Sequence, residues 1–161
     1  MKIALGCDHA GLQAIARIRQ LLQEAGHEVT DCGTHGEASV DYPDFAERVG
    51  RAVQRGEVDG GVLLCGTGIG MAIAANKLRG IRCAVVHDEF TARMAREHNH
   101  ANVLALGARL LAVDAARRLV DAWLAATPKS RHQRRLDKIA ALENVGAAVE
   151  DAPCDAPSAT P

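Results

Sequence analysis

The fold of this chain follows from residues 60–76, which read Gly60-Gly61-Val62-Leu63-Leu64-Cys65-Gly66-Thr67-Gly68-Ile69-Gly70-Met71-Ala72-Ile73-Ala74-Ala75-Asn76. The segment opens with an apolar run short enough for a buried β-strand. Glycine then occupies three alternate positions, as in a loop that turns tightly. An alanine-rich stretch follows and is typical of a helix. The segment therefore predicts a strand, a glycine loop and a helix in direct succession.

The glycine loop is the candidate chemical centre. Backbone N–H groups in a loop that leads into a helix point towards one place and attract anions and oxyanions. Cys65 ends the strand just before these donors, where a thiol is expected to lose its proton more readily than in a free cysteine. Thr67 adds a hydroxyl to the loop. We therefore expect an enzyme that acts on a small phosphorylated substrate. The alternative is a structural turn in which Cys65 is only a small buried apolar residue.

The spacing of the glycines differs from that of two better-known phosphate-binding loops. The dinucleotide fingerprint would place its third glycine at position 71, where this chain has Met71, whereas the third glycine of the loop comes one position earlier. The loop also follows the third predicted strand and not the first, and the chain has no Gly-Lys-Ser or Gly-Lys-Thr sequence of a P-loop. The sequence therefore predicts neither a nicotinamide nor a nucleoside triphosphate site.

Composition limits the class of protein. A chain of 161 residues is long enough for one domain with a single core. It holds one Trp, one Tyr and two Phe, so the core is expected to consist of Ala, Val, Leu and Ile. The formal net charge of −1 offers no basic field for nucleic acid.

The cysteines and the start of the sequence favour the cytoplasm. The chain has five cysteines, an odd number without a CxxC pair, which argues against a disulfide framework or a zinc site and for a reducing compartment. Residues 1–5 lead directly into a strand pattern, so we expect no signal peptide. No apolar run is long enough to span a bilayer, and no membrane partner is expected.

Apolar spacing predicts five strands that alternate with helices. Strands are expected over residues 2–6, 27–31, 61–64, 81–86 and 102–106, and helices over 12–25, 43–56, 89–98, 113–126 and 131–142, besides the one after the glycine loop. Such alternation builds βαβ units and a parallel sheet that is covered on both faces. The predicted fold class is α/β, a Rossmann-like three-layer α/β/α sandwich with a five-stranded parallel sheet. Residues 1–143 form its single domain.

The last segment has a different composition. Residues 144–161 are small, acidic and rich in Pro. Such a sequence cannot bury enough apolar surface to order itself. We expect a disordered C-terminal tail without a catalytic part.

The candidate residues fall at two edges of the predicted sheet. Active sites in parallel sheets lie beyond the carboxyl ends of the strands, where Asp8, His9 and the loop from Cys65 are expected. His98 and Asn99 come just before the fifth strand, and so near the opposite edge of the same subunit. If His98 is catalytic, it is therefore expected to reach the glycine loop of a neighbouring subunit.

The histidine and arginine candidates each have an alternative. His98 and His100 diverge on a helix and have no accompanying cluster of cysteines or acids, so a metal site is not expected. His98 is either a proton-transfer residue or a lone surface histidine. Arg131 and Arg135 are four residues apart and face the same way. With Arg109 they form either a guanidinium cluster for a phosphate dianion or part of a solvated surface.

Taken together, these residues resemble the type B ribose-5-phosphate isomerase family, which includes galactose-6-phosphate and allose-6-phosphate isomerases. The resemblance runs from Lys2 to about Leu142, and several motifs in the right order carry it. They are Gly6-Cys7-Asp8-His9-Ala10-Gly11, Asp41-Tyr42-Pro43, Val58-Asp59-Gly60-Gly61, Cys65-Gly66-Thr67-Gly68-Ile69-Gly70, Ala74-Ala75-Asn76-Lys77, His98-Asn99 through Asn102-Val103-Leu104, and Arg131-His132-Gln133 through Arg135.

The resemblance implies an aldose–ketose isomerase of the non-oxidative pentose phosphate pathway. Its reaction would interconvert D-ribose 5-phosphate and D-ribulose 5-phosphate through an enediolate, with no metal and no organic cofactor. The family forms a homodimer or a dimer of dimers with sites shared between subunits. One branch uses the cysteine matched by Cys65 as its base, and another carries a glutamate where Met71 stands. This chain resembles the cysteine branch.

Site roles are carried over position by position. Cys65 would move the proton between C1 and C2, and Thr67 with the N–H groups of the loop would hold the enediolate oxygens. His98 would open the furanose ring, assisted by Asp8 or Thr67, and Asn99 would bind a sugar hydroxyl. The matched substrate-binding residues are Asp8, His9, Tyr42, Gly66, Gly68, Ile69, Gly70, Asn99, Arg109, Arg131 and Arg135, of which His9 and the three arginines serve mainly the phosphate.

Three other functions stay open at this point. The same reaction on a six-carbon sugar phosphate, such as allose 6-phosphate or galactose 6-phosphate, would need only a longer pocket. A non-catalytic phosphosugar- or nucleotide-binding module would use the same loop and arginines. A thiol redox role would require a resolving cysteine near Cys65, which the sequence does not indicate.

Overall fold

The computed structural model describes residues 1–144, so the predicted tail lies outside the described residues except for Asn144. Its five strands form one sheet in which every pairing is parallel, which confirms the predicted fold class. The strands are β1 (Lys2–Cys7), β2 (Glu28–Asp31), β3 (Gly60–Cys65), β4 (Cys83–Val85) and β5 (Val103–Gly107), and the helices are α1 (Leu12–Glu24), α2 (Tyr42–Gln54), α3 (Ile69–Ala75), α4 (Glu89–Asn99), α5 (Val113–Ala125) and α6 (Gln133–Leu142).

Short 3₁₀ turns precede two of the helices. His9–Gly11 leads into α1, and Ser130–His132 leads into α6. The helix predicted over 131–142 therefore begins with a 3₁₀ turn. Of the helices within residues 1–144, none combines the length and apolarity that crossing a membrane requires.

The sheet separates two apolar cores, because successive strand side chains point to opposite faces. On β3, Val62 and Leu64 join the core beneath α1, α4 and α5, whereas Leu63 and Cys65 join the core beneath α2 and α3. All six residues of β3 are buried. The layers are thus helix, sheet and helix, and Cys65 belongs to the α2–α3 side.

The strand order β2-β1-β3-β5-β4 locates the functional edge. The chain runs from β1 to β2 on one side and then places β3 on the other side of β1, so the order reverses between β1 and β3. Ligands of open α/β sheets bind outside the carboxyl ends of the strands at such a reversal. Asp8 follows β1 and Cys65 ends β3. The Asp8 N–H donates to the Leu64 carbonyl at 3.2 Å, which joins the two strand ends.

Strand β4 is shorter than the predicted 81–86. At its start, asparagine side chains make hydrogen bonds to the backbone in place of some backbone–backbone bonds of the sheet. The Asn102 side chain accepts from the Arg82 N–H at 2.8 Å and donates to the Gly80 carbonyl at 2.8 Å. The Asn76 amide bonds both the N–H and the carbonyl of Cys83, each at 2.8 Å. The two amides thus tie the entry of β4 to its neighbours.

Candidate active site

Cys65 lies at the bottom of the glycine loop. The Gly68 N–H donates to its Sγ at 3.1 Å, so the sulfur faces the loop although Cys65 is only 5% exposed. The Ile69 N–H donates to the Thr67 hydroxyl oxygen at 3.4 Å. The loop therefore wraps its backbone donors around the sulfur and the hydroxyl.

Gly68 must be glycine for two reasons. Its φ of +81° lies in the left-handed region, which side chains other than glycine adopt at a cost. A Cβ on Gly68 would also come within 3.0 Å of the Leu106 backbone. This residue lets the chain leave β3 and begin α3 within three residues, which brings the first turn of α3 next to Cys65.

The other two loop glycines give space to side chains. A Cβ on Gly70 would meet the Tyr42 ring at 2.7 Å, so Tyr42 at the start of α2 lies against the start of α3. A Cβ on Gly66 would lie 3.4 Å from the Arg109 guanidinium. The Arg109 N–H donates to the Gly66 carbonyl at 3.1 Å, which holds the residues after β5 against the loop.

Asp8 and His9 border the loop from the end of β1. Asp8 is 6% exposed, and its side chain accepts from the Ala10 N–H at 2.9 Å, so it caps the first turn after the strand. The Val40 N–H donates to His9 Nδ1 at 3.3 Å. An imidazole that accepts at Nδ1 carries its proton on Nε2 when neutral, so His9 offers a hydrogen-bond donor.

The remaining predicted residues lie at the opposite edge of the sheet. His98 and Asn99 end α4, and Arg131 Nη2 lies 3.5 Å from His98 Nε2. Arg135 precedes Leu136 on the first turns of α6 and contacts His132 Nδ1 at 3.2 Å. The first group, at the carboxyl edge, contains Asp8, His9, Tyr42, Cys65, Gly66, Thr67, Gly68, Ile69, Gly70 and Arg109, and the second contains His98, Asn99, Arg131 and Arg135.

His132 belongs to the second group, and the sequence did not assign it a role. Its ring stacks on the His98 ring with centroids 4.3 Å apart, and Arg131 Nε donates to its Nε2 at 3.1 Å. The sequence signal that could have identified His132 is its position next to Arg131, because neighbouring residues in a tight turn can contact the same side chain, here His98.

The second group is strongly electropositive. Desolvation lowers the pKa of His132 from its ordinary 6.5, and positive charge on His98, Arg131, Arg135 and His100 lowers it further. Among the ion pairs formed within residues 1–144, none involves Arg131 or Arg135. A phosphate dianion would relieve this repulsion, because guanidinium groups bind it with charge-assisted hydrogen bonds.

The two groups are separated by the length of β5. Val103, just after the second group, pairs with Gly61, and Gly107, next to the first group, pairs with Cys65. Four residues of parallel strand span about 13 Å. No hydrogen bond connects the groups within the described part of the chain. The two groups of a single chain therefore lie at opposite ends of β5.

The other described cysteines lie outside the glycine loop. Burial raises the pKa of Cys7 to about 11 and that of Cys83 to about 12, and it also raises the pKa of Cys32. These three residues remain thiols at neutral pH. All four cysteines within residues 1–144 are free.

The two histidines at the end of α4 have different neighbours. His98 faces Arg131 and His132, whereas His100 Nε2 lies 3.3 Å from the Lys129 carbonyl. Within residues 1–144, no three side chains of His, Cys, Asp or Glu come together as ligands would.

Comparison with known proteins gives one consistent result. Residues 3–139 match the family described as Ribose/Galactose Isomerase. The chain is 48% identical over 143 residues to ribose-5-phosphate isomerase B of Escherichia coli, a match that covers 88% of this chain and 96% of that protein.

Solved structures agree in fold. The structure of Clostridium thermocellum ribose-5-phosphate isomerase B superimposes with a TM-score of 0.88 at 50% identity and covers 89% of this chain and 98% of that one. Ribose-5-phosphate isomerase B from Mycoplasma genitalium, solved with bound ribulose-5-phosphate, gives a TM-score of 0.85 at 39% identity, with 90% of this chain and 97% of that one covered. On these matches, the chain belongs to the ribose/galactose isomerase family, that of the type B ribose-5-phosphate isomerases, and is an isomerase of sugar phosphates.

Proposed function

We propose that the substrate is D-ribose 5-phosphate and that the product is D-ribulose 5-phosphate. The observation that carries the proposal is the Cys65 sulfur, which faces the loop and accepts the Gly68 N–H at 3.1 Å. The names of the two relatives and the ribulose-5-phosphate bound to the Mycoplasma genitalium protein support this substrate.

Cys65 is the base of the proposed reaction. Its thiolate takes the proton from one of the first two carbons of the open-chain sugar and returns it to the other. The residue at the family's alternative base position, Met71, is 0% exposed and packs in the core. This chain therefore carries no acidic side chain at that position to replace the sulfur.

The glycine loop stabilises the enediolate. Negative charge grows on the two sugar oxygens during proton transfer, and the Thr67 hydroxyl with the backbone N–H groups of residues 66–70 binds that charge. Without substrate, the N–H groups of Gly68 and Ile69 donate to Cys65 Sγ and to the Thr67 hydroxyl oxygen. One preorganised donor in a comparable oxyanion hole contributes about 3–4 kcal/mol to the transition state.

The second group opens the ring and holds the phosphate. His98 transfers a proton to or from the ring oxygen and hydroxyl, with Asp8 or Thr67 assisting, and Asn99 binds a sugar hydroxyl. Arg131 and Arg135 bind the phosphate together with Arg109 and His9 of the first group. Because the phosphate does not react, these side chains act by orienting the substrate.

The proposed site is shared between two copies of the chain. The His98 group and the Cys65 group face opposite edges of one sheet, so the histidine must come from a partner subunit. Two apolar side chains beside the glycine loop, Ile69 and Ile73, are 53% and 58% exposed. Neighbouring exposed apolar residues of this kind are typical of a surface that another protein covers.

Mixing two inactive variants tests the shared site. Cys65→Ala and His98→Ala should each be inactive alone. In a mixed dimer one site regains both residues and the other loses both, so random mixing should restore about a quarter of the wild-type rate per subunit. Each variant mixed with itself is the control. If the mixture stays inactive although mixed dimers form, both residues act within one chain or one of them is not catalytic.

A six-carbon sugar phosphate is the second candidate, because the description of the matched family also names galactose. Values of kcat/KM for ribose 5-phosphate, allose 6-phosphate and galactose 6-phosphate distinguish the two. The non-catalytic alternative is not supported, since the chain belongs to a family of isomerases. We further place the protein in the cytoplasm, which its four free cysteines within residues 1–144 favour.

A further inference from the structure

Besides the contacts that Arg131 and His132 make with His98, one residue joins the segment that carries them to the end of α4. The chain leaves α5 at Ala125 and enters α6 at Gln133, and we call residues 126–132 the α5–α6 connection. Its middle residue, Lys129, makes three contacts with the last turn of α4 and with His100, the residue that follows α4. Within the connection, its carbonyl also accepts from the His132 N–H at 3.2 Å. The Lys129 N–H donates to the Glu97 carbonyl at 2.8 Å, and its ammonium group pairs with the Glu97 carboxylate. Its carbonyl accepts from His100 Nε2 at 3.3 Å.

Glu97 is placed to hold a cation. Its side chain is 13% exposed, the lowest value for any acid in the ion pairs of residues 1–144. The hydrogen bond from Lys129 lowers the pKa of the Glu97 carboxyl, and the charges of Lys129, Arg93 and His98 act in the same direction, against desolvation. The carboxylate is therefore charged at neutral pH and available to Lys129.

The His100 backbone is itself fixed. Among the described residues it is the only non-glycine residue with a positive φ, at +46°. Its carbonyl accepts from Arg82 Nη2 at 3.0 Å and from Arg82 Nε at 3.2 Å. A left-handed residue of this kind persists only where its surroundings hold it. The ring that bonds the Lys129 carbonyl thus extends from an anchored backbone.

These contacts bring two proposed site residues together. Glu97 directly precedes His98, and Lys129 is two residues before Arg131. The contacts of Lys129 set the distance between α4 and the α5–α6 connection, at which Arg131 Nη2 lies 3.5 Å from His98 Nε2. Neither Glu97 nor Lys129 contacts the predicted substrate-binding atoms directly.

We propose that Glu97, His100 and Lys129 form a clamp that positions Arg131 for the substrate phosphate and beside His98. The three are positioning residues and not catalytic ones, and the proposal rests on the proposed function for the identity of the anion. Without the clamp, the α5–α6 connection samples more orientations, and the bound phosphate must order it again. The cost therefore falls on binding and not on the proton transfer at Cys65.

Lys129→Met tests the clamp, because it keeps the length of the side chain and removes its charge. We expect KM for ribose 5-phosphate to rise about fivefold with kcat within about twofold of wild type. The inhibition constant of inorganic phosphate should rise by the same factor. Glu97→Gln should have the same effect, and the double variant should be no worse than either single one. Lys129→Arg should restore KM, and Arg131→Ala is the positive control.

Asp121→Asn is the matched control. It breaks another ion pair, Arg117–Asp121 on α5, in which the two charged atoms are 2.6 Å apart. It should leave KM and the inhibition by phosphate unchanged. If Lys129→Met and Glu97→Gln, with melting temperatures equal to that of the control, also keep the wild-type KM and phosphate inhibition, the clamp does not exist. If the wild-type chain does not isomerise ribose 5-phosphate, the proposed function fails. The clamp can still be tested by calorimetric binding of inorganic phosphate, which should be weaker in Lys129→Met and Glu97→Gln than in the wild type and in Asp121→Asn.

Discussion

At the scale of single residues, the chemical difference between the cysteines comes from what each sulfur faces. Burial raises the pKa of the Cys7 and Cys83 thiols. The Cys65 sulfur is also buried, and the N–H of Gly68 in the glycine loop donates to it. Its place at this loop makes Cys65 the candidate base.

Cys65→Ala should abolish turnover while the fold is retained. Removing a general base lowers kcat by about 10²–10⁴-fold, and the loss of one sulfur atom leaves the glycine loop in place. A coupled isomerase assay measures the rate, and calorimetric titration with ribose 5-phosphate should show binding close to that of wild type. Cys83→Ala is the matched control and should stay active. A near-normal rate for Cys65→Ala would show that Cys65 is not the base.

His132 should titrate at a lower pH than an ordinary histidine. Its pKa is lowered from 6.5 by desolvation and by the positive groups around it. As the pH falls below 6.5, the unfolded chain takes up this proton before the folded chain does, so the folded state loses stability until the pH reaches the lowered pKa. NMR signals of the histidine rings should show that His132 has a lowered pKa. Inorganic phosphate should raise that pKa, because an adjacent anion favours the imidazolium ion.

His132→Gln provides the control for this pH dependence. Without the imidazole, the melting temperature should fall less steeply as the pH is lowered below 6.5. A His132 signal that titrates above that value in the free protein would contradict the arrangement of positive charges around the ring.

At the scale of elements, the strand-loop-helix unit of residues 60–76 was predictable because each part has a strong local signal. Apolar β-branched and leucine residues, three alternate glycines and a run of alanines specify the three parts in turn. The start of β4 was not predictable. That start is set by the side-chain amides of Asn76 and Asn102, which bond Cys83 and Arg82 from 7 and 20 residues away. Local pattern contains no information about such contacts.

Gly68→Ala should damage the site more than the fold. The substitution introduces a side chain at a φ of +81°, within 3.0 Å of the Leu106 backbone. Strain of this kind costs about 1–2 kcal/mol, and its relief would move the N–H that faces Cys65. We expect a large fall in kcat with a moderate fall in melting temperature.

Gly26→Ala separates strain from function. Gly26 has a nearly identical φ of +82°, and a Cβ there meets nothing within 4 Å. It lies just after α1, away from both groups of site residues. Gly26→Ala should lose stability from its φ alone and Gly68→Ala should lose more because of the contact with Leu106, and only Gly68→Ala should lose activity. Equal activity of both would mean that the position of the Gly68 N–H does not matter for turnover.

At the scale of the whole molecule, the sequence predicted the class of fold and the separation of the candidate residues, but not the strand order. Periodicity identifies strands one at a time, whereas the order β2-β1-β3-β5-β4 is decided by packing between them. That order puts Asp8 beside Cys65, a juxtaposition that only the sheet shows. That His98 and Cys65 lie at opposite edges was predictable, because His98 precedes a strand and Cys65 ends one. Parallel strands all start at one edge of the sheet and end at the other.

Lys129 was missed for a related reason. It precedes Arg131 in a stretch with no periodic pattern, and its partner Glu97 is 32 residues earlier in the sequence. An exposed lysine in a connection carries no signal by itself. Only the packing of α4 against the segment after α5 gives it a partner.

The proposed contact between two copies should depend on the exposed face of α3. Ile69 and Ile73 are four residues apart on this helix, so they lie on one face, next to the loop that receives the partner's histidine in the proposed site. Burying a carboxylate against a partner without a counter-ion is strongly unfavourable. Ile73→Asp should therefore lower the molar mass measured by light scattering and abolish isomerisation, with the circular dichroism spectrum unchanged. Ile73→Val, which keeps an apolar side chain, should retain both mass and rate. A fully active Ile73→Asp variant that runs as a monomer would show that one chain can complete the site alone. The two groups, which lie at opposite ends of β5, would then have to be brought together by movement within that chain.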